Sequence, residues 1–193
     1  MISCILLTAG ESQRFGSPKA LADIHGKKAL EVVQLKLIES IVDEIIIVTG
    51  AHESLIKPYV LNHSKVRLVH NKDYKFGQTS SFQTGINSVD PNSKGFMLLP
   101  IDCPFVLPQT LEALIHYFNE HHPTILIPAY RDKRGHPPIF HNTLKNEILN
   151  LDKNKGLNNL ISTHQAEVLH LNDSGIIQTF NTREDLEAIL RLT

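Results

Sequence analysis

Residues 2–19 read ISCILLTAGESQRFGSPK and join an apolar run to a polar segment that carries glycine and two cations. The run Ile2–Leu7 is short and almost wholly apolar, which is typical of a buried strand. Three small residues follow at positions 8–10, where backbone N–H groups can approach a ligand closely. Arg14 offers a planar fork to phosphate oxygens, and Lys19 adds a mobile point charge. The stretch therefore predicts a phosphate-binding loop after a first strand.

Two familiar phosphate-binding motifs do not fit this loop. A Walker A motif requires G-x-x-x-x-G-K-[ST], but five residues separate Gly10 from Gly16, and Lys19 lies three residues beyond Gly16, behind Pro18. A dinucleotide-binding loop requires G-x-G-x-x-G, which is absent.

The loop instead resembles the L-x-A-G-x-S-x-R-x-G-x-x-K signature of nucleotidyltransferases with a GT-A-like fold. It is most similar to the molybdenum cofactor cytidylyltransferase-like (MobA-like NTP transferase) family, which attaches a nucleotide to molybdopterin. The matching positions are Leu7, Thr8, Ala9, Gly10, Ser12, Arg14, Gly16 and Lys19. The resemblance implies that residues 7–10 bind the nucleotide, and that Arg14 and Lys19 bind it and take part in catalysis. An ordinary strand-to-helix loop with solvated cations is the alternative.

Length and composition set the bounds. The chain has 193 residues, which predicts a single domain over residues 1–193, and a net charge of −1, which disfavours a broad nucleic-acid surface. No apolar run approaches the ~20 residues of a membrane span, and the N-terminal run is interpreted as a strand and not as a signal peptide. Cys4 and Cys103 form neither a C-x-x-C motif nor a zinc spacing, so a reducing, cytoplasmic setting is expected. A histidine metal site is not expected either.

Strands and helices alternate along most of the chain. This predicts a three-layer α/β/α, Rossmann-like fold with a mostly parallel central sheet. Strands are expected over 2–7, 44–49, 66–69, 95–100, 124–128, 167–171 and 176–180. Helices are expected over 28–40, 52–61, 82–89, 108–118, 142–150, 157–162 and 182–192, the last with a T-x-x-[DE] capping box.

Two further segments carry predicted donor-side residues. Gly77, Ser80 and Ser81 precede the helix expected at 82–89, where the family has a similar stretch that faces the nucleotide; helix capping is an equally good and compatible role. Asp102 follows the strand expected at 95–100, at the sheet edge where open α/β sheets bind ligands. The resemblance implies that Asp102 holds Mg²⁺ and is catalytic. Its alternative role as a helix cap is disfavoured by its distance from Pro108.

A basic turn over 130–136 (YRDKRGH), followed by an extended piece at 137–140, resembles the family's R-G-x-P segment, which lines the acceptor side. Arg134, Gly135 and His136 are therefore candidate acceptor-binding residues. A solvated hairpin tip is an equal alternative.

The sequence departs from the cytidylyl-transferring relatives in two places. A G-D-x-G turn is replaced by Lys-Asn-Lys-Gly at 153–156, and both Asp positions of a D-[IV]-D-T-P-E-D segment are replaced, by Thr179 and Asn181. Asn181 is a candidate for acceptor binding or for assisting Asp102 at the metal, because an amide oxygen can bind a metal without supplying charge. Other carboxylates that can in principle substitute are Asp152, Asp173 and Asp185.

Together these residues predict a Mg²⁺-dependent transfer of CMP from CTP to molybdopterin, with release of pyrophosphate and a molybdoenzyme apoprotein as a further partner. Ala9 stands where CTP-using relatives carry alanine, whereas Thr8 departs from both the CTP and the GTP pattern. The alternatives are GTP as donor, another phosphorylated acceptor such as a sugar phosphate, and a non-catalytic molybdenum cofactor carrier or accessory protein.

Overall fold

The computed structural model describes residues 1–154 and 156–192. The strands are β1 (Ile2–Leu7), β2 (Asp23–Ile24), β3 (Lys27–Lys28), β4 (Glu44–Thr49), β5 (Val66–His70), β6 (Gly95–Pro100), β7 (Ile125–Tyr130), β8 (Lys133–Arg134), β9 (Ile139–His141) and β10 (Glu167–His170). The α-helices are α1 (Ala29–Glu39), α2 (Glu53–Ile56), α3 (Gln78–Ile86), α4 (Pro108–His121), α5 (Lys145–Leu149), α6 (Asn158–Thr163) and α7 (Arg183–Leu190). Short 3-10 helices lie at Lys19–Leu21, Lys57–Tyr59, Tyr74–Phe76, Asn142–Leu144 and Ser174–Ile177.

The sheet has β1 between two parallel neighbours, β4 and β6, and its strand order is β10-β7-β9-β6-β1-β4-β5, with β8 paired to β7. The β4–β5 and β7–β10 pairs are also parallel, whereas β9 runs antiparallel between β6 and β7. The carboxyl ends of β5, β4, β1 and β6 therefore meet at one edge, where α/β sheets bind their ligands. The predicted mostly parallel α/β fold is confirmed.

Two apolar cores cover the faces of the sheet and explain its layers. Along β1, Ile2, Cys4 and Leu6 pack into the core beneath α1, α4 and α7, while Ile5 and Leu7 pack into the core beneath α3, α5 and α6. Both faces of β1 are buried, as its continuous apolar sequence predicts. Each of these large side chains stabilises the fold by roughly 1.5–3 kcal/mol of apolar burial.

The helix α3 begins earlier than the sequence predicts. Residues 78–81 were expected to precede a helix over 82–89, but they form its first turn. Gly77 has a φ of 91°, which lets the chain turn sharply and enter the helix at Gln78. A Cβ on Gly85 would lie 2.3 Å from Ile5 Cγ2, so α3 packs against β1 at a distance that only glycine permits.

The strand predicted over 176–180 is wrong. Ser174–Ile177 forms a 3-10 helix, because the Asp173 carboxylate accepts a hydrogen bond from Gly175 N at 2.8 Å and turns the chain. The segment then crosses the ligand edge of the sheet without pairing in it, and Ile176 and Phe180 are buried beneath it. The apolar residues that suggested a strand therefore anchor a crossing segment instead.

Within residues 1–154 and 156–192, none of the helices combines the length and the apolar character needed to cross a bilayer.

Candidate nucleotide site

A cleft of about 790 Å³ opens at the carboxyl ends of β1 and β6. Eleven of the predicted site residues line it: Leu7, Thr8, Ala9, Gly10, Arg14, Lys19, Gly77, Ser81, Asp102, His136 and Asn181. The N-terminal loop, the start of α3 and the segment before α7 form its walls, so distant parts of the chain meet there.

Four predicted residues form one polar cluster in this cleft. Lys19 Nζ donates to Asp102 Oδ2 at 2.7 Å and to Asn181 Oδ1 at 2.9 Å. Arg14 also donates to Asn181 Oδ1, at 3.1 Å. The Lys19 and Asp102 side chains are 14% and 23% exposed, so their ion pair is partly shielded but still accessible to a ligand. We call Arg14, Lys19, Asp102 and Asn181 the clamp.

Local structure brings the members of the clamp together. Asp102 lies two residues beyond β6, and its backbone carbonyl accepts a hydrogen bond from Phe180 N at 3.2 Å, which places Asn181 beside it. Asp185 in the first turn of α7 accepts from Asn181 N at 2.8 Å and from Thr182 N at 2.9 Å. These backbone hydrogen bonds lower the pKa of the Asp185 carboxyl.

The N-terminal loop presents backbone donors after Thr8. Thr8 N itself donates to Val48 O at 2.9 Å, so this amide continues the sheet, although Thr8 lines the cleft. The amides of Ala9, Gly10 and Glu11 have no protein acceptor within the described part of the chain. A Cβ on Gly10 would meet nothing within 4 Å, so the loop leaves room for a ligand there.

Ser12 stabilises the same loop. The sequence identified it as a signature position but did not predict this role. Its φ of 53° is unusual for a residue other than glycine. Ser12 Oγ accepts from Lys19 N at 3.1 Å, and its carbonyl accepts from Phe15 N at 3.0 Å. The hydroxyl therefore fixes the start of the segment that carries the Lys19 side chain.

The two predicted serines at the start of α3 face different ways. Ser80 does not line the cleft. Its hydroxyl lies 2.9 Å from the carbonyl oxygens of Asp73 and of Gly77, and donating its one proton to either stabilises the turn. Ser81 does line it, while its hydroxyl accepts from Asn71 Nδ2 at 3.0 Å. The N-cap residue of α3 is Gly77, which has no side chain to cap the helix, and the Ser80 hydroxyl serves the preceding turn instead.

Of the three acceptor-binding residues predicted in the basic turn, only His136 lines the cleft. His136 lines the cleft, and burial lowers the pKa of its imidazole, although the nearby Asp102 charge opposes this shift. Arg134 is exposed on β8 and does not line the cleft. A Cβ on Gly135 would lie 2.1 Å from Ile176 O, so Gly135 permits close backbone packing and its own contacts are structural.

Comparison of the sequence with known proteins identifies its family. A model of the MobA-like NTP transferase domain matches residues 4–168. The chain belongs to this family. The transferase is 30% identical to a probable molybdenum cofactor guanylyltransferase of Natranaerobius thermophilus over 206 residues, which cover 96% of this chain and 93% of that protein.

Solved structures share the fold of the transferase. Rv0371c of Mycobacterium tuberculosis superposes with a TM-score of 0.86 at 24% identity, covering 98% of this chain and 97% of the other. Molybdopterin-guanine dinucleotide biosynthesis protein A of Archaeoglobus fulgidus superposes with a TM-score of 0.76 at 17% identity, covering 98% and 97% of the two chains. These structures confirm the fold, while the match over residues 4–168 confirms the predicted nucleotidyltransferase family.

The oxygen donors of the clamp fit a hard divalent cation. Asp102 Oδ2 and Asn181 Oδ1 converge on one ammonium nitrogen, so two oxygens already face a shared cation position. Mg²⁺ typically takes one or two carboxylates and completes its shell with phosphate oxygens and waters. Nowhere in the described residues do three or more His, Cys, Asp or Glu side chains gather into a metal site. Bound phosphate would thus have to supply part of the shell.

Some cleft residues were missed by the sequence reasoning. Tyr74, Gln78 and Thr179 line the cleft. Tyr74 and Gln78 lie outside the motifs quoted above, and Thr179 was noted only because it replaces an Asp of the relatives' D-[IV]-D-T-P-E-D segment. Lys153, from the turn that replaces the relatives' G-D-x-G, pairs with Asp73 beside this wall. Lys155 of that turn lies outside the described residues.

Proposed function

We propose that the transferase moves GMP from GTP to a phosphate oxygen of molybdopterin and releases pyrophosphate. The observation that carries this proposal is the clamp, in which Arg14, Lys19, Asp102 and Asn181 meet on the wall of a nucleotide-sized cleft. The name of the N. thermophilus relative supports the choice of donor and acceptor.

The chemistry suits a site without a dedicated general base. A phosphate monoester is largely ionised at neutral pH, since its second pKa is about 6. An oxygen of the acceptor phosphate attacks the α-phosphorus of the nucleotide, and a new P–O bond forms. The bond from the α-phosphorus to the bridging oxygen breaks, and its electron pair leaves with pyrophosphate. Catalysis then depends on positioning and on neutralising charge.

Each part of the cleft has a task in this proposal. The free amides of residues 9–11 hold the triphosphate, while Arg14 and Lys19 neutralise its oxygens and the charge that develops on pyrophosphate. Asp102, assisted by Asn181, would hold Mg²⁺. When bound, this ion supplies charge stabilisation between the phosphates. His136 lines the same cleft near the Asp102 charge and would contact the acceptor.

The donor differs from the CTP predicted from Ala9. That prediction rested on the alanine that CTP-using relatives carry at this position. In the structure Ala9 is only 3% exposed and packs into the core beside Leu7. Ala9 lines the cleft, but it leaves little exposed surface there to distinguish one base from another. The relatives named as guanylyltransferases favour GTP. The cytoplasmic setting and a molybdoenzyme as recipient remain predictions.

The donor is tested by competition. The transferase is incubated with molybdopterin, Mg²⁺ and equal concentrations of GTP and CTP, and the dinucleotide product is identified by mass spectrometry. We expect the guanine dinucleotide to predominate, and none to form with Asp102→Asn. If the cytosine dinucleotide predominated, the donor would be CTP and not GTP. If a nucleotide-linked product formed with a sugar phosphate and none formed with molybdopterin, the acceptor would be the sugar phosphate.

A further inference from the structure

The Lys19 ammonium occupies the oxygen pair proposed for the metal. Its Nζ lies 2.7 Å from Asp102 Oδ2 and 2.9 Å from Asn181 Oδ1, and it also lies 5.8 Å from the centre of the Phe180 ring. Hydrogen bonds in which at least one partner is charged are about twice as strong as neutral ones. A metal ion that binds these oxygens must therefore displace the ammonium.

The charge of the clamp disfavours a metal that arrives alone. Arg14 and Lys19 bring two positive charges, and Asp102 brings one negative charge, because position 181 holds an amide. Asp185 adds a negative charge near Arg14, but its Oδ2 accepts from the backbone amides of Asn181 and Thr182 and makes no contact with Lys19. The Lys19 ammonium beside the oxygen pair therefore favours the approach of an anionic triphosphate and opposes that of a divalent cation.

We propose that Lys19 and the metal compete for this oxygen pair and occupy it in turn. Without nucleotide, Lys19 neutralises Asp102 and so avoids leaving a half-buried carboxylate unpaired. A bound triphosphate draws the ammonium onto its own oxygens, and Asp102 and Asn181 become available to the metal. The metal therefore enters with the nucleotide and not ahead of it. This inference rests on the nucleotidyl transfer proposed above.

The test measures metal binding without any nucleotide. Mn²⁺ is titrated against the full-length protein, and free Mn²⁺ is followed by electron paramagnetic resonance. We expect weak binding to the wild type and roughly 10- to 100-fold tighter binding to Lys19→Met, the range typical of losing a hydrogen bond to a charged group. Lys19→Gln repeats the comparison with a shorter side chain, and thermal unfolding verifies that each variant folds.

Arg14→Met is the matched control, because it removes an equal charge that contacts Asn181 but not Asp102. Direct competition predicts a clearly smaller gain for Arg14→Met than for Lys19→Met. It also predicts that adding Asp102→Asn to Lys19→Met abolishes the gain.

Three results would overturn the proposal: wild-type binding as tight as that of Lys19→Met, an equal gain with Arg14→Met, or a gain that survives Asp102→Asn. No acceptor, nucleotide or turnover enters this assay. An error in the proposed donor or acceptor would therefore leave its outcome unchanged, and the two failures are distinguishable.

Discussion

At the scale of single residues, Lys19 contacts both oxygen donors of the clamp, and its removal takes away a cation that would face the triphosphate. We expect Lys19→Ala to reduce kcat/KM by about 100- to 1,000-fold, as for loss of one preorganised electrostatic donor in other enzymes. Steady-state pyrophosphate release measures this effect, and Lys72→Ala, which removes an exposed lysine, is the control. Near-normal activity of Lys19→Ala would remove Lys19 from the site.

Alanine substitutions at two glycines that line the cleft, Gly10 and Gly77, should have different effects. A Cβ at either Gly10 or Gly77 meets nothing within 4 Å, but only Gly77 has a positive φ, of 91°. Gly77→Ala should lower the free energy of unfolding by about 1–3 kcal/mol through backbone strain. Gly10→Ala should leave it nearly unchanged and weaken nucleotide binding instead. Urea denaturation and nucleotide titration separate the two effects, and equal stability losses would contradict this explanation.

The sequence predicted the residues of the clamp better than it predicted the other residues that line the cleft. Arg14 and Lys19 were identified because their spacing follows a signature, and Asp102 because it follows a predicted strand at the ligand edge. The structure brings the three together. Ser80 and Arg134 were predicted to contact a ligand, but they do not line the cleft. A sequence motif does not show the direction in which each side chain points. Asn181 was expected on the acceptor side or at the metal, and only the fold reveals that it accepts hydrogen bonds from both cations.

At the scale of elements, buried Asp173 joins the start of α4 to the segment that leads to Asn181. Its carboxylate accepts from Leu107 N at 2.9 Å, Thr110 Oγ1 at 2.7 Å and Gly175 N at 2.8 Å. Asp173→Ala leaves these donors without an acceptor and should lower the free energy of unfolding by about 2–4 kcal/mol. Thr110→Val removes one of the bonds and should cost about 1 kcal/mol. Urea denaturation showing equal losses would refute this ranking.

The capping box of α7 should make stability depend on pH. Asp185 accepts backbone hydrogen bonds that lower the pKa of its carboxyl in the folded protein, whereas the unfolded value is about 3.9. Its stabilising effect is thus present above the unfolded pKa and lost as pH falls through the lower, folded pKa. The wild type should be more stable than Asp185→Asn near pH 7, and this difference should shrink below about pH 4. A difference that stayed constant in urea titrations down to pH 3 would contradict it.

Periodicity predicted most elements but missed those set by side-chain hydrogen bonds. The strands β1, β4 and β6 have the bounds that their apolar runs predict, because both faces of each are buried. The segment 176–180 was predicted as a strand because it is apolar, yet the hydrogen bond from Gly175 N to Asp173 turns it into a 3-10 helix. Such a contact depends on one carboxylate, which hydrophobic periodicity does not detect.

At the scale of the whole molecule, strand order creates the site. The parallel arrangement of β5, β4, β1 and β6 gathers the N-terminal loop and Asp102 at one edge, and the segment before α7 crosses that edge. Alternating strands and helices predicted this class of fold, and the signature predicted the family. The long-range contact between Lys19 and Asn181 was beyond sequence reasoning, because it depends on how the last segment crosses the sheet. The single domain over 1–193 remains a prediction.

The most direct measurement is pyrophosphate release by the wild type with Mg²⁺, with GTP and CTP tested separately, each with and without molybdopterin. We predict release with GTP that requires molybdopterin and is lost in Asp102→Asn. Silence with both nucleotides, despite bound molybdopterin, would contradict the proposed transfer and favour a carrier of the cofactor.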